Sequence, residues 1–158
     1  MIAIDTNILL CYLLQDDEIQ AKQANNLILS SETVLITDVV LIETIWTLQG
    51  KRYNLNKEKI IQVIHAFFAE PNIVFEDNQA VWAALKDFTN AKPIKAGGKT
   101  KQADFPDSLI INKAKRHAQL HKLNLTNVFT FCLLYTSPSP RDAHESRMPS
   151  SAWKKQVS

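Results

Sequence analysis

The chain has 158 residues, 46% of them hydrophobic and 22% charged, which is enough for one ordinary domain with its own core. No segment approaches the roughly 18 consecutive apolar residues of a membrane span, and the N-terminus lacks the basic flank and cleavage site of a signal peptide, so we expect a cytoplasmic protein without a membrane partner. The net charge of +2 conceals a basic stretch at residues 92–131, which holds 8 Lys and Arg against 2 acidic residues; solvated surface and a polyanionic partner both explain it.

Short apolar segments alternate with helical patterns along the chain. The patterns predict, in order, a strand at 2–4, helices at 7–14 and 19–29, a strand at 34–36, helices at 39–49 and 57–69, a strand at 73–75, a helix at 78–88, a basic loop at 92–101, a helix at 106–122 and a strand at 128–131. This alternation is typical of an α/β fold with a central parallel sheet and helices on both of its faces.

The composition changes at the C-terminal end. Residues 132–158 hold three of the six prolines, are rich in serine and lack helical or strand periodicity. The stretch CLLYTSPSPRDAHESRMPSS is similar to translated adaptor or vector sequence. We therefore expect a domain at 1–131 that is truncated at its C-terminal end, followed at 132–158 by a non-native or disordered tail.

Asp5 interrupts the apolar run MIAIDTNILL just beyond the first predicted strand. A buried charge costs several kcal/mol unless it is compensated. Ligand sites of open parallel sheets assemble at this edge, but an aspartate here can equally cap the helix that follows. Asp5 alone leaves both interpretations open.

Glu43 is predicted to lie within an apolar stripe of the helix at 39–49, between Val39 and Trp46. Trp46 itself is expected in the core or an interface. A carboxylate on a buried face must be paired, protonated or bound to a cation. A salt bridge to lysine or arginine is the structural alternative to a functional role.

Asp104 and Asp107 stand three residues apart in ADFPDSLII, with Pro106 between them in the first helical turn. A helix cap completed by a second acid explains this pattern without any function. The same spacing also places two carboxylates at one helix start.

Three separated carboxylate positions could therefore meet at one edge of the sheet. Clustered carboxylates repel each other, so at neutral pH they require a proton or a cation. Hard divalent ions with oxygen ligands suit such a site, which predicts Mg²⁺, with Mn²⁺ as a substitute.

Three segments, DTNILLCYLLQDD at 5–17, ITDVVLIETIWTL at 36–48 and ADFPDSLI at 103–110, together resemble the signature segments of PIN-domain ribonucleases. They are most similar to the VapC toxins of bacterial toxin–antitoxin pairs, and the resemblance spans about residues 1–131. It implies a three-layer α/β/α fold. It also places the catalytic, metal-binding acids on Asp5, Glu43 and Asp107, with Asp104 as an accessory metal ligand.

The resemblance extends to supporting residues. Thr6 and Asn7 match the small polar residues beside the first acid, where Asn7 would steady the site by hydrogen bonding. Thr130 matches a threonine that precedes a fourth acid in the family. Here the chain departs from the family pattern, because Cys132 stands where that acid is usual, and hard Mg²⁺ prefers oxygen to sulfur.

The family implies an Mg²⁺-dependent endoribonuclease that acts on RNA, forms a homodimer and is controlled by a cognate antitoxin protein. Because the fourth acid is absent, a second interpretation is a catalytically impaired module that binds RNA or an antitoxin without turnover. A phosphatase of the haloacid dehalogenase kind fits less well, since its first strand ends in D-x-D and position 7 is Asn.

Three other patterns in the sequence are weaker evidence for a functional site. AGGKT lacks the first glycine of a phosphate-binding loop, because position 93 is proline. His117 and His121 lie on a charged helix without a third ligand and are expected on the surface. Lys95, Lys99 and Lys101 fit either a basic loop that touches RNA phosphates or one that serves solubility.

Overall fold

The computed structural model describes residues 1–128. Five short strands are found in that range: β1 Ile2–Ala3, β2 Val34–Ile36, β3 Ile73–Phe75, β4 Ile94–Ala96 and β5 Lys99–Lys101. Six helices accompany them: α1 Thr6–Leu14, α2 Glu18–Ile28, α3 Asp38–Gln49, α4 Lys57–Ala69, α5 Asn78–Asn90 and α6 Phe105–Leu120. None of these helices combines the length and apolar character that crossing a bilayer requires.

The first three strands form one parallel sheet in the order β1-β2-β3. Val34 is the register partner of both Ile2 and Ile73. The predicted parallel α/β class is therefore confirmed. Because the carboxyl ends of parallel strands share one edge, α1 and α3 both begin at that edge, directly after β1 and β2.

Polar side chains start the helices. Each of five helices begins at a residue whose side-chain oxygen accepts a hydrogen bond from a backbone N–H three residues on, namely Asp5, Asp17, Thr37, Asn56 and Asp104. Such a cap satisfies an N–H that has no partner within the helix. The sequence alone favours caps at Thr37-Asp38 and Asn56, because these residue types stand just before the helices predicted at 39–49 and 57–69, and the structure confirms both caps.

The chain divides into two compact units, the first at Met1–Leu85 and the second beginning at Lys86. In the first unit the sheet and the helices around it enclose an apolar core. Its fully buried side chains include Leu9 of α1, Ile36 of β2, Ile45 of α3 and Phe67 of α4. The rings of Phe67 and Phe75 meet edge to face, with their centroids 6.5 Å apart.

The second unit has its own buried contacts. Phe105, at the start of α6, packs against Phe88 with ring centroids 6.1 Å apart. Buried Asn112 uses its amide group twice, donating to the Ser108 carbonyl and to Asp87 Oδ2, both at 2.8 Å. These bonds compensate the burial of a polar side chain.

The basic segment at 92–101 forms a hairpin, so the prediction of a loop was wrong. β4 and β5 pair antiparallel across Gly97 and Gly98, whose φ angles are +58° and +74°. Two adjacent left-handed residues make the kind of turn that matches strand twist, and glycine adopts them without steric cost. The strand predicted at 128–131 and the tail at 132–158 lie outside the described residues, apart from Val128, which is in no strand.

One side chain fastens the chain between α2 and β2. The Asn72 amide, just before β3, donates to the backbone carbonyls of Ile28, Ser30 (3.1 Å) and Glu32 (3.2 Å). The two amide hydrogens are shared among three acceptors. This contact fixes the segment that leads into β2 and so into α3.

We predict that Asn72→Ala lowers the free energy of unfolding by about 1–3 kcal/mol, because carbonyls that are partly buried lose their donor. Urea denaturation followed by circular dichroism measures the change. Asn124→Ala, at an exposed position, is the control and should change stability by less than about 0.5 kcal/mol. Equal stability of the two variants would show that the Asn72 contacts contribute nothing.

Candidate active site

Asp5 lies between β1 and α1 and caps α1. Its Oδ1 accepts a hydrogen bond from the Ile8 N–H at 2.9 Å, and its side chain is exposed. The capping role that the sequence left open is therefore real, and the charge is not buried as the apolar run suggested. The desolvation cost expected for Asp5 is avoided because the residue sits at the solvent-facing end of the strand.

Glu43 is bound to the start of α1. The Thr6 hydroxyl donates to Glu43 Oε2 at 2.6 Å, across 37 residues of sequence. A hydrogen bond to a charged acceptor is short and comparatively strong. It holds the Glu43 carboxylate beside the residue that follows Asp5.

The predicted orientation of α3 was wrong. Val39 and Trp46 are 67% and 58% exposed, and Glu43 lies with them on the exposed face. The buried face consists instead of Leu41, Thr44, Ile45 and Leu48. Thr44 can be buried because its hydroxyl donates to the Val40 carbonyl at 2.7 Å. Since α3 is apolar nearly all round, its spacing alone does not identify the core side.

An open cleft of about 550 Å³ brings these residues together. It is lined by Asp5, Thr6, Asn7, Leu10, Glu43, Trp46 and Thr47. Four of the residues predicted for the site therefore share one cleft, at the edge where the helices after β1 and β2 begin. We call the cleft lined by these seven residues the acidic cleft.

Three residues of the acidic cleft were not identified from the sequence as part of a site. Leu10 and Thr47 carry no chemistry that distinguishes them, and Trp46 was expected in the core or an interface. The available signal was spacing, because Trp46 and Thr47 follow Glu43 by three and four residues and so share its helix face. Trp46 is instead an exposed aromatic wall of the cleft.

The two carboxylates of the acidic cleft have no basic partner among the described residues. Within residues 1–128, neither Asp5 nor Glu43 forms an ion pair with lysine, arginine or histidine. The structural alternative considered for Glu43, a salt bridge, is therefore not present in this part of the chain. The cleft therefore presents two acidic groups without a counter-charge from residues 1–128.

Asp104 and Asp107 belong to the second unit, at the N-terminus of α6. The Asp107 N–H donates to Asp104 Oδ1 at 2.9 Å, so Asp104 is the helix cap. Both side chains are half-buried. The capping interpretation is thus confirmed for Asp104.

Burial raises the pKa of the Asp104 carboxyl above its ordinary value of 3.8. The backbone N–H of Asp107 opposes this rise by donating to the carboxylate, whereas the negative charge of the Asp107 side chain adds to it. A neighbouring cation would relieve both the burial cost and the repulsion.

In residues 1–128 no group of three or more His, Cys, Asp and Glu side chains is close enough to hold a metal ion. The acidic cleft supplies two carboxylates, and Asp104 with Asp107 supplies two more in the other unit. The expectation that Asp5, Glu43 and Asp107 jointly hold an ion, with Asp104 assisting, stays a prediction. Thr130 and Cys132 lie outside the described residues.

Comparison with known proteins gives one match. The sequence model of the family described as PIN domain matches residues 2–121, which is most of the chain. No curated protein and no solved structure matches it. The match confirms the three-layer α/β/α class that the strand and helix pattern predicted, with its parallel sheet and six helices in the described residues.

We predict that Asp104→Asn becomes progressively more stable than the native protein as the pH rises. The native pKa lies above 3.8, so Asp104 stabilises the fold fully below that pH and loses this contribution as the pH rises through its folded pKa. Asparagine keeps the cap and carries no charge. Denaturation between about pH 3 and pH 7 measures the difference in unfolding free energy.

The control is Asp104→Ala, which removes the same charge together with the cap. It should be less stable than Asp104→Asn by about 1 kcal/mol at every pH. A stability difference between Asp104→Asn and the native protein that shrinks as the pH rises would contradict the assignment.

Proposed function

The chain belongs to the PIN domain family, and from that membership we propose that it is an Mg²⁺-dependent endoribonuclease that acts as the toxin of a toxin–antitoxin pair. PIN domains are generally metal-dependent nucleases, which supports hydrolase activity on phosphodiester bonds. The RNA substrate, the toxin role and the choice of Mg²⁺ are parts of the proposal.

The observation that carries the proposal is the pair of uncompensated carboxylates in the acidic cleft. Asp5 and Glu43 are exposed, they share one open cleft, and no basic side chain of residues 1–128 pairs with them. An open cleft admits a polymer from the side, as cutting within a chain requires. A closed cavity would instead favour a small substrate.

The donor set fits a hard divalent ion. Mg²⁺ is usually held by one or two carboxylates together with waters and substrate phosphates, and not by a complete protein cage. Asp5 and Glu43 supply such a pair, and in the proposal Asp107 and Asp104 are further ligands. When bound, the ion would activate a water and neutralise the charge that develops on the phosphate oxygens. Mn²⁺ is expected to substitute for it.

The chain's own residues pre-organise these ligands. The Thr6 hydroxyl fixes one oxygen of Glu43, and the Ile8 N–H fixes one oxygen of Asp5. Each carboxylate therefore keeps its orientation before any ligand binds, which reduces the entropy lost on binding. The α1 N-terminus also directs positive dipole ends towards this cleft, which favours a phosphate there.

The proposed partners follow from the resemblance of the three signature segments. We propose a cytoplasmic homodimer with a cognate antitoxin protein that occupies the acidic cleft and offers a basic side chain to the carboxylates. The lack of a protein counter-charge for Asp5 and Glu43 in residues 1–128 supports that mode of inhibition.

A second candidate function is that of a PIN module that binds RNA or an antitoxin without turnover, and Cys132 is the reason to consider it. It stands where the family usually has a fourth acid. Metal dependence separates the two candidates. A nuclease binds Mn²⁺ and stops cleaving RNA when a chelator is added, whereas a binding module responds to neither.

We predict that Asp5→Asn and Glu43→Gln each reduce RNA cleavage at least about a hundredfold. Each substitution removes one negative charge that, in the proposal, helps to hold the metal ion needed for the reaction. Both variants should fold normally, since asparagine also caps α1 and Glu43 is exposed. Cleavage of a labelled single-stranded RNA in Mg²⁺ and titration with Mn²⁺ measure the two effects. Glu58→Gln, an exposed acid of α4 outside the cleft, is the matched control.

Cleavage that survives both substitutions would refute the assignment of the site. Absence of cleavage by the native chain, combined with RNA binding that a chelator leaves unchanged, would favour the binding module.

We also predict that Thr6→Val reduces cleavage about tenfold and weakens Mn²⁺ binding, because Glu43 loses the hydroxyl that orients it. Valine keeps the shape of threonine, so the free energy of unfolding should change little. Thr6→Ser restores a hydroxyl and should recover most of the activity. If Thr6→Val and Thr6→Ser behave alike, the hydrogen bond has no role in the reaction.

A further inference from the structure

A second cleft of about 380 Å³ adjoins the acidic cleft. The two share three lining residues, Asn7, Leu10 and Thr47, so they form one continuous groove in the first unit. The second cleft differs in charge, since it is also lined by Arg52, Tyr53 and Asp16. We call it the Arg52 cleft.

Arg52 and Tyr53 form a stacked pair. The guanidinium carbon of Arg52 lies 5.1 Å from the centre of the Tyr53 ring. The loop that carries them, between α3 and α4, is held by its backbone, because the Gly50 carbonyl accepts from the N–H of Tyr53 (3.2 Å) and of Asn54 (2.8 Å). The pair is therefore in place before a ligand arrives.

Asp16 forms only a weak ion pair with Arg52. The Arg52–Asp16 ion pair measures 3.6 Å, and the two side chains are 77% and 47% exposed. Pairs this exposed contribute about 0–1 kcal/mol, so a phosphate can displace the carboxylate at small cost. A phosphate also offers the bidentate geometry that a guanidinium binds best.

We propose that the Arg52 cleft binds the nucleotide next to the bond that is cut, in a single-stranded nucleic acid. Arg52 binds the phosphate of that nucleotide, and its base extends the stack of Tyr53 and Arg52. This inference rests on the proposed function, since it assigns the neighbouring acidic cleft to the scissile phosphate.

The arrangement selects single strands for a physical reason. A base can stack on an aromatic ring or a guanidinium plane only when it is not held in a helix. A duplex could still place a phosphate on Arg52, but its bases would remain stacked on one another. The groove thus has two parts. The acidic cleft has two carboxylates that would hold a metal ion, and the Arg52 cleft has a cation and an aromatic ring that would bind an unpaired nucleotide.

The first experiment measures the affinity of a short labelled single-stranded RNA by fluorescence anisotropy, in an Asp5→Asn background that prevents cleavage. Tyr53→Leu should weaken binding by roughly tenfold, as expected from loss of one base–aromatic stack, whereas Tyr53→Phe should stay within about twofold. Arg52→Gln should also weaken binding and should lower the slope of log affinity against log salt by about 0.7. Lys51→Gln, a neighbouring exposed lysine outside both clefts, is the matched control.

Asp16 gives a test of opposite sign. Asp16→Asn removes the carboxylate that competes with phosphate, so it should tighten RNA binding by more than Asp17→Asn does. Asp17→Asn makes the same change of charge at the α2 cap, where asparagine serves equally well, and Asp17 does not line the cleft. If the two substitutions change RNA affinity equally, net charge alone explains the change. The proposed contact between Arg52 and a phosphate would then be wrong.

The outcomes separate this inference from the proposed function. If the native chain cleaves RNA but the Arg52 and Tyr53 variants bind and cleave like it, the nuclease assignment stands and the Arg52 cleft is not a subsite. If the native chain cleaves nothing while Tyr53→Leu and Arg52→Gln lose affinity, the Arg52 cleft stands as a single-strand binding site, and both the nuclease assignment and the position next to a cut bond fail. Equal affinity for a duplex of the same sequence would overturn the preference for single strands.

Discussion

Parallel pairing of β1 with β2 is the constraint on which the candidate site depends. It places the helices that follow the two strands at one edge of the sheet, so α1 and α3 lie in contact. Only then can the Thr6 hydroxyl reach Glu43 across 37 residues of sequence. A slip of one residue in this pairing would move every strand side chain to the opposite face and would separate the two groups.

The candidate site residues are mainly acidic. Two carboxylates share one cleft without a basic partner in the described residues, and Asp104 in the other unit is a half-buried carboxyl beside a second acid. The absence of this compensation in residues 1–128 is consistent with a site built for a cation.

The groove changes character along its length. At one end it presents carboxylates and an exposed tryptophan, and at the other a cation stacked on a tyrosine. A nucleic acid strand has the matching requirements, since its phosphates need cationic partners and its bases need flat apolar surfaces. The two kinds of lining residue therefore match the two kinds of group that a strand presents.

The sequence by itself determined the three strands of the parallel sheet, the helices to within about two residues at most ends, the caps at Thr37 and Asn56, and the short list of acids worth following. These features depend on neighbours along the chain, through hydrogen-bond caps and local periodicity.

Tertiary structure decided which face of α3 is buried, because an all-round apolar helix has no local signal for its core side. Glu43 proved to be exposed. It also decided that residues 92–101 form a hairpin and that Trp46 and Tyr53 line a groove, since partner strands and adjacent loops lie outside any local window.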